Sequence, residues 1–303
     1  MQAVSPVPHR FLTPQAPAGH ILMASYPLDK IVTRTGLVSS SHERTGPMDR
    51  LLRVVLIMLI LVAILFAGLC GALFVFQRSL IYFPQPRSYQ PGTTLMTLQV
   101  GTGTVLVSTR PNTSPDALIY FGGNAEDVSR NMPEFSAAFP NYAIYLLHYP
   151  GYGGSSGSPS EQAIMADALA LFDHVHAEHK NIVVIGRSLG SGVAVHLASL
   201  RPVQRLVLVT PYDSLGDVAA HNYPFLPVRL LLRDKFESWK YASQVTAPTR
   251  IVVAERDEVI PRESTDRLRT RFKNGIVSYV VVAGVGHNTI SDSADYLSLL
   301  KNE

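Results

Sequence analysis

The stretch VVIGRSLGSG, residues 183–192, opens as a buried strand and closes on a serine hemmed in by glycines. Ser188 stands between Gly186 and Gly190, where the strand hands over to a helix. Glycines are common at turns and serine is a common helix N-cap, so the bare motif also fits a plain helix start. In its strand-turn-helix setting, however, G-x-S-x-G reads as a nucleophile elbow. The turn is so tight that side chains flanking the serine would strike strand and helix backbones. The hydroxyl then stands at a helix N-terminus, where the dipole and free N–H groups favour a developing negative charge.

A serine at its ordinary pKa needs a base, and the base needs an acid to orient it. Downstream, the apolar run ending in AERDEVIP (254–261) supplies Asp257, and the next, ending in AGVGHN (283–288), supplies His287. The chain order Ser188, Asp257, His287 is the one expected of a strand-helix alternation carrying this elbow. Competing acids are Glu255, Glu258 and Asp213, the last following the strand at 205–211. Of the ten histidines, only His287 and His148 sit near late strand ends, and His148 lies inside LLHYPG. His174, His176 and His179 resemble a metal cluster, but their spacing spreads them around a helix, so a solvated surface is expected for them. Oxyanion donors are expected from the backbone N–H of Leu189 and from the loop FGGNAED (121–127), where Asn124 N–H is the choice. The glycine-rich segment YPGYGGSSGSPSE (149–161) lacks the lysine of a P-loop and reads as a tight strand exit, with Ser160 and Glu161 starting the next helix. No metal or organic cofactor is expected.

Eight strand candidates emerge: TLQV, TVLVST, ALIYFGG, AIYLLHYPG, NIVVIG, RLVLVTP, RIVVAE and SYVVVAG. Helices are expected near 128–138, 160–179, 189–200, 263–272 and 289–301. An antiparallel pair followed by this alternation implies an α/β fold with a mostly parallel eight-stranded sheet covered by helices on both faces. The alternation breaks between RLVLVTP and RIVVAE, where HNYPFLPVRLLLRDKFESW reads as a small helical lid at about 212–245.

From Val54 to Phe76 the chain runs 23 residues without a charge, and a helix of that length spans roughly 35 Å, enough to cross a bilayer. No A-x-A-like cleavage site follows it, so it reads as one uncleaved transmembrane signal anchor, residues 48–77, with a linker at 78–94 and the globular domain at 95–303. Arg34, Arg44, Arg50 and Arg53 precede the span, whereas only Arg78 and Arg87 closely follow it. The positive-inside tendency then puts the N-terminus in the cytoplasm and the domain on the far side, periplasmic in a bacterium. Residues 1–47 are rich in Pro, Ser and Thr and are expected to be disordered. MDRLLRVVLIML has the form of a natural start, so translation is expected to begin at Met48. A net charge of +3 over 303 residues, with no long basic runs, argues against a nucleic-acid partner. The single cysteine, Cys70, excludes an intrachain disulfide and a cysteine-based metal site.

GGNAED, YPGYGGSSGSPSE, GRSLGSG, ERDEVIP and GVGHN, in this order and spacing, resemble an α/β-hydrolase of the Bem46-like group, over roughly residues 75–302. The resemblance implies the α/β-hydrolase fold and favours ester or thioester substrates. Relatives often carry His where Gly122 stands, Arg where Pro150 stands, and an acid where Thr289 follows GHN. The expectation is therefore a membrane-anchored serine hydrolase acting on acyl esters or thioesters near a bilayer. Its rivals are a serine aminopeptidase-like peptidase and a noncatalytic scaffold that binds a ligand or partner.

Overall fold

In the computed structural model, residues 46–301 are described; of the N-terminal segment expected to be disordered, residues 1–45 lie outside the described residues, and Pro47 and Met48 lie within the first helix. The apolar runs form strands β1 (Thr94–Val100), β2 (Gly103–Arg110), β3 (Asp116–Phe121), β4 (Ala143–Leu147), β5 (Asn181–Arg187), β6 (Arg205–Val209), β7 (Thr249–Arg256) and β8 (Val277–Gly286). They make one sheet in the order β1-β2-β4-β3-β5-β6-β7-β8. β2 pairs antiparallel with both β1 and β4, and every other pairing is parallel.

Helices α1 (Pro47–Ile81), α2 (Met132–Ala138), α3 (Glu161–Glu178), α4 (Leu189–Leu200), α5 (Leu215–Asn222), α6 (Val228–Leu231), α7 (Ser238–Tyr241), α8 (Arg262–Arg269) and α9 (Tyr296–Lys301) complete the chain. Successive side chains of a strand point to opposite faces, so the sheet feeds two cores. Ile119 and Phe121 pack with Phe172 of α3, Leu197 of α4 and Leu268 of α8. Leu118 and Tyr120 pack on the other face with Phe135 of α2 and Leu300 of α9. The core residues of β3, β5 and β6 are buried on both sides, which is why these strands read as nearly unbroken apolar runs.

Two helices differ from expectation at their starts. The helix expected at 128–138 begins as a 3₁₀ turn, Val128–Asn131, capped by Asp127, before Pro133 enters the first turn of α2. The helix expected at 289–301 divides into a 3₁₀ turn, Ile290–Asp292, and α9. The segment read as a lid forms α5, α6 and α7 between β6 and β7.

Helix α1 is 35 residues long and its most apolar window is wholly exposed, so it is long and apolar enough to span a membrane. It continues past the expected end of the span to Ile81. The stretch read as a linker is bound to the domain. Phe83 N–H donates to the Tyr152 hydroxyl (2.9 Å), Gly153 N–H to Gln85 O (2.9 Å) and Ser88 N–H to Asp127 Oδ2 (2.8 Å). Spacing along the chain carried no sign of these contacts because the partners come from the loops after β3 and β4.

Candidate active site

Ser188, Asp257 and His287 each follow directly on the last residue of a strand, β5, β7 and β8 in turn. Ser188 has φ 50° and ψ −117°, a region that L-residues rarely occupy and that surrounding structure must enforce. Two close approaches enforce it here. A Cβ on Gly186 would lie 2.4 Å from Gly190 O, and one on Gly190 would lie 2.1 Å from Phe121 O. Any larger residue would push α4 away from β3 and β5 and open the elbow.

His287 Nε2 lies 2.9 Å from Ser188 Oγ, and His287 Nδ1 lies 3.0 Å from both carboxylate oxygens of Asp257. With the Nδ1 proton directed at Asp257, Nε2 is left to accept the serine proton. Asp257 is itself fixed by the N–H groups of Val259 (3.0 Å) and Ile260 (2.7 Å). The competing acids are engaged elsewhere. Asp213 accepts from Ser264 Oγ (2.6 Å) and Arg267 Nε (2.5 Å), Glu255 accepts from Gly284 N–H (2.8 Å), and Glu258 accepts from His287 N–H (3.0 Å). Glu258 thus holds the backbone of the histidine loop, and Thr289 Oγ1 accepts from Gly286 N–H (2.9 Å) to close it.

Leu189 opens α4, so its N–H has no acceptor within the helix. Facing it is the loop after β3, in which a Cβ on Gly123 would come within 3.5 Å of Ser188 Cβ. Gly123 N–H donates to Glu126 Oε2 (2.6 Å), which leaves Asn124 N–H as the next amide along the loop. Asn124 is held through its side chain. Its Oδ1 accepts from the Tyr152 hydroxyl (2.9 Å), and its Nδ2 donates to Ile81 O at the end of α1.

Support for this loop comes from residues that the motif reading passed over. Glu126 accepts from the Tyr120 hydroxyl (2.7 Å) and Asn131 Nδ2 (2.7 Å) and faces the Arg187 guanidinium at 3.5 Å. Arg187 reaches on to His287 O at 3.5 Å. Burial works to lower the Arg187 pKa, but the surrounding Tyr120, Glu126 and Tyr296 raise it overall. The Tyr149 hydroxyl donates to Gly122 O (2.8 Å), and burial pushes its pKa well up. Tyr152 is pushed up to about 12, chiefly by burial. Both stay protonated donors. Where relatives often carry His, a Cβ on Gly122 would lie 2.4 Å from Val128 Cγ1, so Val128 fills that space.

The remaining histidines divide. His148 is buried against Ser108 Oγ (2.8 Å), and burial lowers its pKa to about 4. His174 is exposed and His176 stacks on Phe172, but His179 is buried, contrary to expectation. It caps the end of α3, where it bonds Ser114 O (2.7 Å) and the Tyr145 hydroxyl (3.0 Å). Among the described residues no group of side chains could hold a metal ion.

A family model described as alpha/beta hydrolase fold matches residues 116–243. An uncharacterized protein of Mycobacterium tuberculosis is 35% identical over 247 residues, covering 75% of this chain and 86% of that protein. Protein bem46 of Schizosaccharomyces pombe is 28% identical over 170 residues, covering 52% of this chain and 56% of that one. The chain belongs to the α/β-hydrolase family, in its Bem46-like group. Other α/β-hydrolases share the architecture at low identity. An esterase of Pyrococcus furiosus superposes with a TM-score of 0.58 at 19% identity, covering 72% of this chain and 94% of that one. As an α/β-hydrolase, the chain places Ser188, His287 and Asp257 at the carboxyl ends of its strands, where sites on such sheets collect.

Proposed function

We propose that this α/β-hydrolase is a membrane-anchored serine hydrolase that cleaves carboxyl ester or thioester bonds of acyl substrates. The observation that carries the reading is the continuous relay from Ser188 Oγ through His287 to Asp257, built on a strained elbow. Ser188 Oγ attacks the acyl carbonyl while its proton passes to His287 Nε2, and Asp257 stabilises the imidazolium. The oxyanion is met by Leu189 N–H and Asn124 N–H. As the tetrahedral intermediate collapses, His287 returns the proton to the departing alcohol or thiol. Water then attacks the acyl-serine ester, giving its proton to His287, and the acid leaves as Ser188 is reprotonated. The protein's own groups supply each proton transfer.

Helix α1 serves as the anchor, its N-terminus on the cytoplasmic side and the hydrolase domain across the bilayer, a reading supported by Arg50 and Arg53 just inside its start. Its length and exposed apolar surface support an acyl substrate held close to lipid. Labelling of the full chain in detergent with a fluorophosphonate tests the chemistry. Uptake that disappears in Ser188→Ala establishes an activated serine. Absence of uptake by folded parent protein overturns the assignment.

A further inference from the structure

The end of α1 and the lid enclose an apolar groove of about 450 Å³ lined by Leu73, Leu80 and Phe83 on one side and Tyr223, Leu226 and Val228 on the other. We infer that this groove holds the hydrocarbon chain of the acyl substrate, so that the membrane helix is itself one wall of the substrate site. The inference rests on the hydrolase reading for the fate of the chain, though not for its binding.

The groove's size is that of a small-molecule pocket. Its chemistry selects hydrocarbon. Besides Tyr223, whose ring is largely exposed, the polar side chain on the wall is Gln77, and its amide is fully engaged. Gln77 Nε2 donates to Phe74 O (2.8 Å) and Leu231 O (3.1 Å), while Oε1 accepts from Arg233 N–H (2.7 Å). A polar ligand entering here would lose water and find no partner in that amide. A second cleft of about 900 Å³, between the lid and α8, shares Leu226 and Val228 with the groove but sets Asp217, Arg229, Glu263 and Arg267 among its apolar walls. Charged groups of that kind would have to be desolvated by an alkyl chain.

Continuity gives the groove its occupant. Leu73 and Leu80 belong to the helix whose apolar window is wholly exposed, so the α1 wall of the groove continues into that exposed apolar surface. Phe225 and Leu230 of the lid are 91% and 84% exposed, which extends that apolar surface beyond the helix. At the other end lie Ile81 and Phe83, whose backbone groups are bonded to the Asn124 side chain. Asn124 follows Gly123, the residue that lies against Ser188. An acyl chain can therefore pass from bilayer to groove with its carbonyl end directed at the loop beside the nucleophile.

Two readouts test this on the full chain reconstituted in phosphatidylcholine vesicles. Palmitic acid carrying a diazirine near its methyl end is photo-crosslinked to Ser188→Ala protein and the adducts are mapped by mass spectrometry. Adducts are expected on Leu73, Leu80, Tyr223 or Leu226, and they should be lost in Ala219→Trp, because Ala219 of α5 lines the groove and a Trp there would fill it. In parallel, hydrolysis of p-nitrophenyl palmitate and butyrate is compared, and Ala219→Trp should lower the palmitate-to-butyrate ratio of kcat/KM at least about 10-fold. Leu80→Trp on the opposite wall should do the same, which separates groove filling from misfolding of the lid. Adducts elsewhere, or a ratio unmoved by either variant, overturn the inference. A parent that resists fluorophosphonate yet crosslinks in the groove supports the lipid site and fails the hydrolase reading alone.

Discussion

Arg187 and Glu126 face each other at 3.5 Å, and together they join the two loops that flank Ser188. Through Glu126 the pair holds Gly123 N–H, and through Arg187 it reaches His287 O. Neither side chain bonds Ser188, so the pair positions rather than reacts. Glu126→Gln keeps the shape and removes the charge facing a largely buried guanidinium. It is expected to lower kcat about 10-fold, or about 1.4 kcal/mol in barrier, with KM little changed. Steady-state hydrolysis of a short p-nitrophenyl ester measures this.

The strain at Ser188 predicts that activity and stability oppose each other at one position. Ser188→Gly removes the Cβ that makes φ 50° costly and should raise the unfolding free energy by about 1 kcal/mol while abolishing turnover. Ser188→Ala retains the Cβ and should show no such gain. Thermal melts of the three proteins in one detergent give the comparison.

Asp257 and its competitor Asp213 should separate by phenotype. Asp257→Asn, which removes the carboxylate from His287, is expected to cut kcat by ~10³–10⁴ with the fold intact. Asp213→Asn should leave kcat within about 3-fold and instead lower stability by about 1–3 kcal/mol, because it disturbs the buried bond to Ser264 and the half-exposed pair with Arg267. Paired kinetics and melting curves decide the assignment.

Restoring the histidine that relatives often carry should harm this chain. Gly122→His would drive a side chain into Val128 and is expected to cost about 1–3 kcal/mol through overpacking. Val128→Ala in the same protein should recover part of the loss. Chemical unfolding of the single and double variants reads out the coupling.

Asp167 of α3 is buried, and its Oδ2 has no hydrogen-bond partner among the described residues. Burial pushes its pKa from 3.8 up to about 6. The folded state therefore binds this proton more tightly than the unfolded chain, and the associated stability is lost as pH rises through about 6. Asp167→Asn should gain about 1–2 kcal/mol over the parent at pH 7.5, and the gain should vanish toward pH 4. Melting temperatures across that range check the sign.

The parts of the site legible in the chain were those carried by local motifs at strand ends. Ser188, Asp257 and His287 each stand one residue beyond a strand, where period-2 patterning gives way to a turn, so strand order alone brought them together. The Glu126–Arg187 pair, the tyrosine donors to Gly122 and Asn124, and the docking of residues 82–88 are bonds through space, and no short-range pattern encodes them. His179 was misread because spacing reports which face of a helix a residue takes only while the helix lasts. As the C-cap it has extended backbone and turns inward.

The contact between the end of α1 and the lid also bears on mechanics. Arg78 forms a two-point ion pair with Asp234 (2.9 and 3.1 Å), the Tyr82 hydroxyl donates to the same carboxylate (3.1 Å), and the Arg233 guanidinium sits 4.1 Å from the centre of the Phe74 ring. A hydrolase fastened this way rides on its helix as on a bracket, without the swivel that a slack tether would allow. Were α1 to span a bilayer as proposed, tilting it would turn the lid with it, and bilayer thickness would then set the heading of the catalytic cleft.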